Sequence, residues 1–441
     1  MNIIFLTLVR LTDIEKHGIY EDLMRKFRDE GHQVYIVCPV ERRFGQKTNL
    51  TEISGVKMLY VKTLNIQKTN VIEKGVGTLL LERQYKAAIK KHLSGVSFDL
   101  ITYSTPPITF TNVVRYLKKR NPQAISYLQL KDIFPQNAVD LGMLNESLEF
   151  RGYRLKSFGK YLLYKFFRKK EVALYKNSDY IGCMSPANVE FIRKHNPYYP
   201  KDRVEVAPNS IDLRSAHRDA LLAKNVDVDL DPDQKRLKEQ NERYYIRRKY
   251  DLPTDKPIFI YGGNLGKPQG IDYLIKCLEA NKERWDCYFV VVGNGTEFPR
   301  LQAWYDQVKV RGERLEVREP SVKLMQRLPK EDYDMLVKYC DVGLIFLDHR
   351  FTIPNYPSRL LSYLENKMPI ICATDVNTDI GRIAEENGYG YWCESVNPTD
   401  FTKLVDKMLK ADRKTMGENG YEFLKNNYLV EHTYNKIMSH F

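Results

Sequence analysis

Short apolar runs alternate with amphipathic stretches from the first residue of this chain onward. The segments NIIFLTLV, QVYIVCP, VKMLYVKT and FDLITYST are rich in β-branched and aromatic residues, and AISYLQL, DYIGCMS and VEVAPN continue the series. Strands that alternate with helices form βαβ units on a parallel sheet, and continuous apolar strands indicate a sheet that is covered on both faces. The pattern therefore predicts a doubly wound α/β domain over 1–212.

A second series of the same kind follows a charged gap. Residues 213–256 lack apolar strands, are dense in charge and end at a proline-bracketed turn, so they predict a solvated insertion and linker. The segments PIFIYGG, CYFVVVG, VGLIFL, PIICATD and YGYWCES then predict a second doubly wound domain over 257–420. A final helical stretch, 421–441, can pack on either domain. We expect two domains of similar size that face a cleft.

Composition limits the binding partners and the cellular location that these domains can have. A formal charge of +13 indicates nucleic acid, anionic lipid or a phosphate-bearing ligand as a partner, or simply a basic soluble enzyme. The seven cysteines form no C-x-x-C pair, which favours reduced thiols in the cytosol over a zinc site or a disulfide framework. MNIIFLTLVRL is interpreted as a core strand rather than a signal peptide. Because no apolar run approaches the roughly 18 residues of a membrane-spanning helix, any membrane contact is expected to be peripheral.

Three loops that directly follow strands of the second series, which we call strand exits, contain residues suited to binding a ligand. Open α/β sheets bind their ligands at such loops. In YGGNLGKPQGIDYL the glycines let backbone N–H groups approach a phosphate, which Lys267 can neutralise, and VVGNGTEFPRL has the same form. In FTIPNYPSRLLSYLENKMPIICATD, the residues Pro357, Ser358 and Arg359 predict a helix N-terminus, where free N–H groups favour an anion. Each loop taken alone can also be explained as a tight turn that binds no ligand. The three loops together predict a diphosphate-bearing ligand.

In order and spacing, these motifs resemble those of the family 4 retaining glycosyltransferases of the GT-B fold, in which two Rossmann-like domains face a central cleft. The resemblance also includes GIYEDLMRKFRDEGHQVYIVCP, LKDIFPQNAVDLGML and VEVAPNSIDL in the first domain, so it spans most of the chain. Within the family, the chain is similar to bacterial enzymes of capsule and O-antigen synthesis, including those that use N-acetylated amino sugars. The resemblance implies a nucleotide-sugar donor, more often UDP-linked, a lipid-linked glycan acceptor and no metal cofactor.

The donor side departs from the family at its charged positions. The usual basic pair of the first glycine loop falls on Asn264 and Gln269, so Lys267 and Arg359 are the nearest cations and are expected to stabilise the leaving diphosphate as catalytic residues. The expected donor-binding residues are Gly263, Asn264, Gly266, Gln269, Gly293, Asn294, Glu297, Pro357, Ser358 and Ser362.

Carboxylates are also displaced relative to the family. Two glutamates that often contact the sugar and the ribose are replaced by Pro354 and Ser362, so the grip on the donor must differ. In the first domain, Asp132 directly follows AISYLQLK. It is the candidate that orients an acceptor hydroxyl or accepts its proton, with an N-cap as its alternative role. Lys131 stands where the family often has histidine. Together with His17–Gly18, it is expected on the acceptor side.

A basic and aromatic segment, YRLKSFGKYLLYKFFRKKEVALYK, covers residues 153–176. Its apolar residues recur near helical spacing among many cations, which is typical of an interfacial helix on an anionic membrane, with a core helix that has a cationic outer face as the alternative. The expected membrane-facing residues are Lys156, Phe158, Lys160, Phe166, Phe167 and Arg168. The interpretation is a cytoplasmic protein at the inner face of the plasma membrane, and no nucleic-acid module is visible.

Two other functions remain open on the sequence alone. A nucleotide-sugar epimerase of similar fold would release an altered sugar nucleotide without any acceptor. A non-catalytic subunit that binds nucleotide sugars or glycans would also fit the missing glutamates.

Overall fold

The computed structural model describes residues 1–66, 71–106, 108–147, 154–213, 231–314 and 319–441. The chain divides into two compact units, which we call the first and second domains. The first domain comprises Met1–Ala220 together with Tyr428–Phe441, and the second comprises Leu221–Asn427. The end of the chain is therefore divided between the two domains rather than belonging wholly to either one.

Eight described strands form the sheet of the first domain, in the spatial order β3-β4-β2-β1-β5-β6-β7-β8. All neighbours pair in parallel except β3 and β4, which form an antiparallel edge. Residues on both faces of the central strand are fully buried, as its continuous apolar sequence predicted. The strands are β1 (Asn2–Leu6), β2 (Gln33–Glu41), β3 (Asn49–Ile53), β4 (Val56–Thr63), β5 (Leu100–Ser104), β6 (Ile125–Leu130), β7 (Tyr180–Cys183) and β8 (Val204–Val206).

Six described strands form the sheet of the second domain, in the order β11-β10-β9-β12-β13-β14, and all are parallel. The strand order reverses between β9 and β12, and in the first domain it reverses between β1 and β5. Ligands of doubly wound sheets bind beyond the carboxyl ends of the strands at such reversals. The strands are β9 (Ile258–Asn264), β10 (Tyr288–Asn294), β11 (Val322–Gln326), β12 (Val342–Phe346), β13 (Ile370–Thr374) and β14 (Gly390–Glu394).

Helices connect the strands and cover the sheets, so the prediction of two doubly wound α/β domains is confirmed. In the first domain they are α1 (Glu21–Asp29), α2 (Val71–His92), α3 (Thr111–Arg120), α4 (Gln136–Asp140), α5 (Arg154–Lys176) and α6 (Pro186–His195). In the second domain they are α7 (Pro232–Lys249), α8 (Ile271–Asn281), α9 (Phe298–Arg314), α10 (Lys330–Lys338), α11 (Arg359–Glu365), α12 (Ile380–Glu386), α13 (Pro398–Lys410) and α14 (Arg413–Asn427). The last helix, α15 (Val430–Met438), packs on α1 of the first domain.

The charged gap differs from the solvated linker that its composition predicted. Its described part contains α7, which begins at a capping box between Asp231 and Gln234. Near the end of the helix, Arg247 is buried and its guanidinium lies 2.6 Å from the carboxylate of Asp341. A buried, paired cation anchors the helix to the second domain, so this part of the gap is structural.

Candidate functional site

The loops after β9 and β10 in the second domain are tied together by backbone hydrogen bonds. The amide of Leu265 donates to the carbonyl of Asn294 at 2.9 Å, and the amide of Glu297 donates to the carbonyl of Leu265 at 2.9 Å. Within the first loop, the side-chain oxygen of Gln269 accepts from the amide of Gly266 at 3.2 Å. Gln269 therefore stabilises the turn itself, while Asn294 and Glu297 link the two loops.

The glycines of these loops fall into two groups. A Cβ at Gly293 would collide with the carbonyl oxygen of Gly263, and a Cβ at Gly295 would collide with the backbone of Leu265. Close packing of backbone on backbone therefore requires both. Gly263 differs, because it is exposed and has a φ of +132°, and a Cβ there would lie 3.5 Å from the guanidinium carbon of Arg359. Gly263 therefore faces the guanidinium of Arg359, whereas Gly293 and Gly295 pack against backbone.

Arg359, the first residue of α11, lies beside Gly263. Its guanidinium carbon is 4.3 Å from the centroid of the Tyr261 ring, which holds the planar group by a cation–π contact. Its Nη1 atom is buried and has no hydrogen-bond partner in the described part of the chain. Burial alone would lower the pKa of Arg359, but the neighbouring tyrosines Tyr261 and Tyr363 raise it above its usual value. Arg359 is therefore a permanent cation with an unused donor.

The predicted helix start at Arg359 is confirmed, but the N-terminus of this helix has little capacity of its own to bind an anion. Ser358 is the N-cap and its side chain makes no capping hydrogen bond. The amide of Leu360 donates to the carbonyl of Pro357 at 3.2 Å, and that of Leu361 donates to Ser358 at 3.1 Å. Because turn contacts use these N–H groups and α11 has only seven residues, an anion here depends mainly on the Arg359 side chain.

A second cation at this edge is Lys267, which is exposed at the start of a short turn after β9. No ion pair or hydrogen bond of its side chain occurs among the described residues. The nearby Arg350, by contrast, binds Asp348 through two hydrogen bonds of 2.8 and 2.7 Å. The amide of Asp348 also donates to the carbonyl of Pro268 at 3.0 Å, which joins the loops after β9 and β12. Arg350 is neutralised, whereas Lys267 keeps its charge available.

Buried polar residues brace the loop that precedes α11, and sequence reasoning missed them. The hydroxyl of Thr378 donates to the carboxylate of Asp375 at 2.8 Å and accepts from the amide of Asn355 at 3.0 Å. Asn377 donates to the carbonyl of Phe351 at 2.7 Å. Burial raises the pKa of Asp375 to about 6 despite these contacts. The available signal was an aspartate at the end of β13 followed three residues later by threonine, a common turn pattern.

In the first domain, β6 is followed by Lys131 and Asp132, whose amides both donate to the hydroxyl of Thr105, at 2.9 and 3.1 Å. The Lys131 ammonium lies 4.1 Å from the centroid of the Tyr20 ring. Burial lowers the pKa of Lys131 to about 7 and raises the pKa of Asp132 to about 6, while each charge partly offsets the effect of burial on the other. Two neighbouring groups that titrate near neutral pH can exchange protons with a bound hydroxyl.

His17 and Gly18 are held by Asp22, a buried residue of α1. His17 Nδ1 lies 2.9 Å from Asp22 Oδ2, and the amide of Gly18 donates to Asp22 Oδ1 at 3.2 Å. Arg25 pairs with the same carboxylate at 2.5 Å, and the amide of Asp212 donates to it at 2.8 Å. Burial would raise the pKa of Asp22, but the contacts with His17, Asp212 and Arg25 lower it below its usual value. Asp22 therefore positions the loop after β1.

The basic and aromatic segment is helical, as predicted, and part of it faces solvent. Its exposed apolar residues lie within two turns of α5. They are Phe158, Leu162, Leu163 and Phe166. Lys160 is exposed, and its ammonium donates to the carbonyl of Gly142 at 2.7 Å. The side chain of Lys156 and residue 153 lie outside the described set.

Two residues of the expected membrane face contact the protein instead. The rings of Phe167 and Phe134 lie 4.9 Å apart in an edge-to-face arrangement. Arg168 pairs with the buried Glu171, because the end of α5 packs against the domain. The exposed apolar face is therefore narrower than the sequence pattern indicated, and it excludes Phe167 and Arg168.

Some kinds of site do not occur in the described ranges. No helix there combines the length and the apolar character that crossing a bilayer requires. No group of three or more histidine, cysteine, aspartate or glutamate side chains in those ranges is arranged to hold a metal ion. The seven cysteines are buried free thiols.

Comparison with known proteins gives a separate match for each domain. Residues 20–215 match the family model "Glycosyltransferase Family 4", and residues 242–423 match "Glycosyl transferases group 1". The chain is 26% identical over 173 residues to the probable glycosyltransferase WbjE of Pseudomonas aeruginosa, which is 39% of this chain. It spans 41% and 32% of the lengths of the two curated relatives that it matches.

Solved structures with the same fold cover nearly the whole chain. WaaG, a glycosyltransferase involved in lipopolysaccharide biosynthesis, has a TM-score of 0.60 at 14% identity over 99% of each chain. Anabaena HepE in complex with UDP-glucose has a TM-score of 0.61 at 12% identity over 100% of this chain and 98% of its own. At these identities the likeness concerns the fold. The two family matches, one over each domain, support a family 4 glycosyltransferase, and the fold is GT-B.

Proposed function

We propose that the protein is a retaining glycosyltransferase that moves a sugar from a UDP-linked donor to a lipid-linked glycan precursor in capsule, exopolysaccharide or O-antigen synthesis. An N-acetylated amino sugar is the donor sugar that the family resemblance favours. The observation that carries the proposal is Arg359, a permanent cation with an unused donor, beside the exposed backbone of Gly263. Of its fold neighbours, HepE is known with UDP-glucose.

The donor diphosphate would occupy the reversal between β9 and β12. Arg359 presents a planar guanidinium, which suits paired phosphate oxygens, and Lys267 adds a second charge from the exposed turn. Negative charge on the diphosphate grows as the bond to the sugar breaks, so both cations bind the transition state more strongly than the donor. Under this proposal, these side chains stabilise the leaving group without a metal cofactor.

The acceptor would bind at the strand exits of the first domain. Asp132 is the proposed acid–base residue, since its pKa near 6 lets it accept a proton from an acceptor hydroxyl and release it near neutral pH. Lys131 lies beside it with a pKa near 7 and compensates its negative charge. His17, held by Asp22, would contribute a hydrogen bond to the acceptor.

A lipid-linked acceptor requires the protein to reach a membrane surface, and α5 is the proposed contact. Phe158 and Leu162 expose about half of their surface, 47% and 51%, among the cations of this helix. Apolar side chains enter the headgroup region, while cations attract anionic lipids. We therefore propose a peripheral location on the cytoplasmic face of the membrane.

The transfer reaction can be tested by offering the full chain a panel of UDP-sugars with and without a lipid-linked glycan acceptor. The expected result is release of UDP that requires the acceptor, together with a glycan one sugar longer and an unchanged anomeric configuration. An altered sugar nucleotide formed without acceptor would instead identify an epimerase. Donor binding without consumption at any acceptor would identify a non-catalytic subunit.

The membrane contact can be tested separately by sedimentation with vesicles that contain anionic phospholipid. Changing Phe158 and Leu162 to Ser should reduce the bound fraction. Leu237→Ser is the matched control, since Leu237 is a leucine of the second domain with 60% exposure. Equal sedimentation of the two variants and the original protein would contradict a role for α5.

A further inference from the structure

A cavity of about 820 Å³ lies on the outer surface of the first domain between α2 and α3. This volume falls within the range of about 300–1,000 Å³ that is usual for small-molecule sites. Leu79, Tyr116 and Asn112 contribute uncharged walls, and most of the remaining lining is basic. The cations that line it are Arg83, Lys86, Arg115, Lys119 and Arg120.

The acidic residue of the cavity does not compensate these charges. The carboxylate of Glu82 accepts two hydrogen bonds from Asn112, at 2.8 and 2.7 Å, and pairs with Lys170 of α5 at 2.9 Å. Its negative charge is therefore used to join α2, α3 and α5. Arg83 and Lys119 have neither an ion pair nor a hydrogen bond in the described ranges. Five cations around one concave surface create a strongly positive potential.

Specific contacts also hold several basic side chains of the lining in place, and a run of solvated charges would not need such contacts. One terminal nitrogen of Arg120 donates to the carbonyls of Leu93 and Ser94, each at 2.7 Å, which fixes the guanidinium at the wall. The ammonium groups of Lys86 and Lys90 lie 5.3 and 5.4 Å from the centroid of the Tyr116 ring. The tyrosine thus holds one lysine of the lining and one further charge, Lys90, beside the cavity.

We propose that the cavity between α2 and α3 is a binding site for a phosphate-bearing anion, separate from the donor and acceptor sites. Arginine forks bind phosphate oxygens in pairs, and lysines add charge without a demand on geometry. The phosphate belongs either to a soluble ligand or to a lipid headgroup, since both present the same chemistry. The lining comes from the middle of α2 and the length of α3, whereas Lys131 and Asp132 follow the carboxyl end of β6 and do not line the cavity. Occupancy would neutralise a cluster of like charges and stabilise the fold.

Binding of a soluble ligand is tested with inorganic pyrophosphate as the probe. Its binding to the full chain is measured by isothermal titration at low salt. All proteins in the comparison carry Arg359→Ala, which removes the main candidate diphosphate contact of the second domain. The test variant combines Arg83→Gln with Lys119→Gln. The control combines Lys194→Gln with Lys201→Gln, two exposed lysines of the same domain, so that net charge is matched.

Saturable binding that the test variant weakens by about tenfold or more, and the control does not, is the expected result. The lipid arm measures sedimentation with neutral phosphatidylcholine vesicles and with vesicles containing an anionic phospholipid. A selective loss of anionic-vesicle binding in the test variant would assign the phosphate to a headgroup. The proposal is overturned if test and control variants bind both pyrophosphate and anionic vesicles equally, or if neither probe binds. Because Arg359 is absent throughout and Lys267 is present throughout, a difference between the test and control variants does not arise at the donor site.

Discussion

The carboxyl edges of the two sheets carry different kinds of charge. At the second edge, the raised pKa of Arg359 keeps it a cation, Lys267 is exposed, and the nearby Arg350 is neutralised by Asp348. At the first edge, Lys131 and Asp132 have pKa values of about 7 and 6. Fixed cations suit the binding of an anion, whereas groups that titrate near neutral pH suit proton transfer. The division matches what a transfer reaction needs from its leaving group and from its acceptor.

The largest expected effect is from Arg359→Ala. If Arg359 stabilises the leaving diphosphate, its loss should lower the transfer rate by about 10³-fold, as for other residues that stabilise charge in the transition state. Arg359→Lys should recover only part of the rate, because an ammonium group cannot stack as a plane on Tyr261. The measurement is initial rate at saturating acceptor. Arg382→Ala, on the surface of the same domain, is the control, and near-normal transfer by Arg359→Ala would remove Arg359 from the mechanism.

Asp132→Asn tests the other edge and should lower turnover by about 10²-fold while donor affinity stays unchanged. The pH profile gives a sharper test. Since the carboxylate is the active form and burial raises its pKa to about 6, activity of the original protein should fall as the pH drops below about 6. That limb should be absent in Asp132→Asn and present in the control Asp140→Asn. A limb that persists in the Asn variant would assign it to another group.

Asp22→Asn should lower the stability of the protein and also release His17 on the proposed acceptor side. Removing a buried charge that pairs with Arg25 and His17 should cost about 3 kcal/mol in the free energy of unfolding at neutral pH. The pKa of Asp22 is lowered in the folded state, so this contribution is present above the usual pKa of aspartate and is lost as the pH falls through the folded-state value.

Urea unfolding at pH 7 and at low pH measures this dependence. The difference between Asp22→Asn and the original protein should be large at pH 7 and should shrink under acidic conditions. Asp29→Asn, which removes an exposed carboxylate beside Arg28, should change stability little at either pH. A difference that stays constant with pH would mean that Asp22 acts through packing and not through its charge.

The smallest expected effect is from Lys267→Gln, about tenfold in donor affinity, because its exposed charge is screened by water and salt. The loss should diminish as salt is added, whereas the Arg359→Ala effect should persist. Titration with UDP at low and high salt separates the two, with Lys410→Gln as the control. Equal salt dependence of both variants would abolish the distinction between an anchored and an exposed cation.

Much of the fold could be predicted from sequence, because β-branched runs that alternate with amphipathic stretches specify strands and covering helices locally. The start of α11 at Arg359 is an example, since proline and serine fix it within one turn. The antiparallel edge strand β3 and helix α7 could not be predicted in this way. Strand β3 has no fully buried residue, and helix α7 is anchored by Arg247, whose partner Asp341 is distant in sequence.

The candidate site divides in the same manner. The positions of Lys267, Asp132 and Arg359 in loops after strands could be predicted, because local sequence indicates where the strands end. Which glycines face a ligand could not be read, because the role of Gly293 depends on the backbone of Gly263, thirty residues earlier. The clamp of Asp22 on His17 likewise depends on tertiary packing. The roles of these residues in binding and catalysis stay predictions.

The hydrogen bonds and glycine contacts between the loops after β9 and β10 also bear on redesign. Since Leu265 binds Asn294 and Glu297, and Gly293 fits only against Gly263, neither loop can change its backbone path alone. A library that randomises one loop would return mostly misfolded members. Exchange of residues 262–297 as a single cassette from another family member would preserve the mutual fit of the two loops.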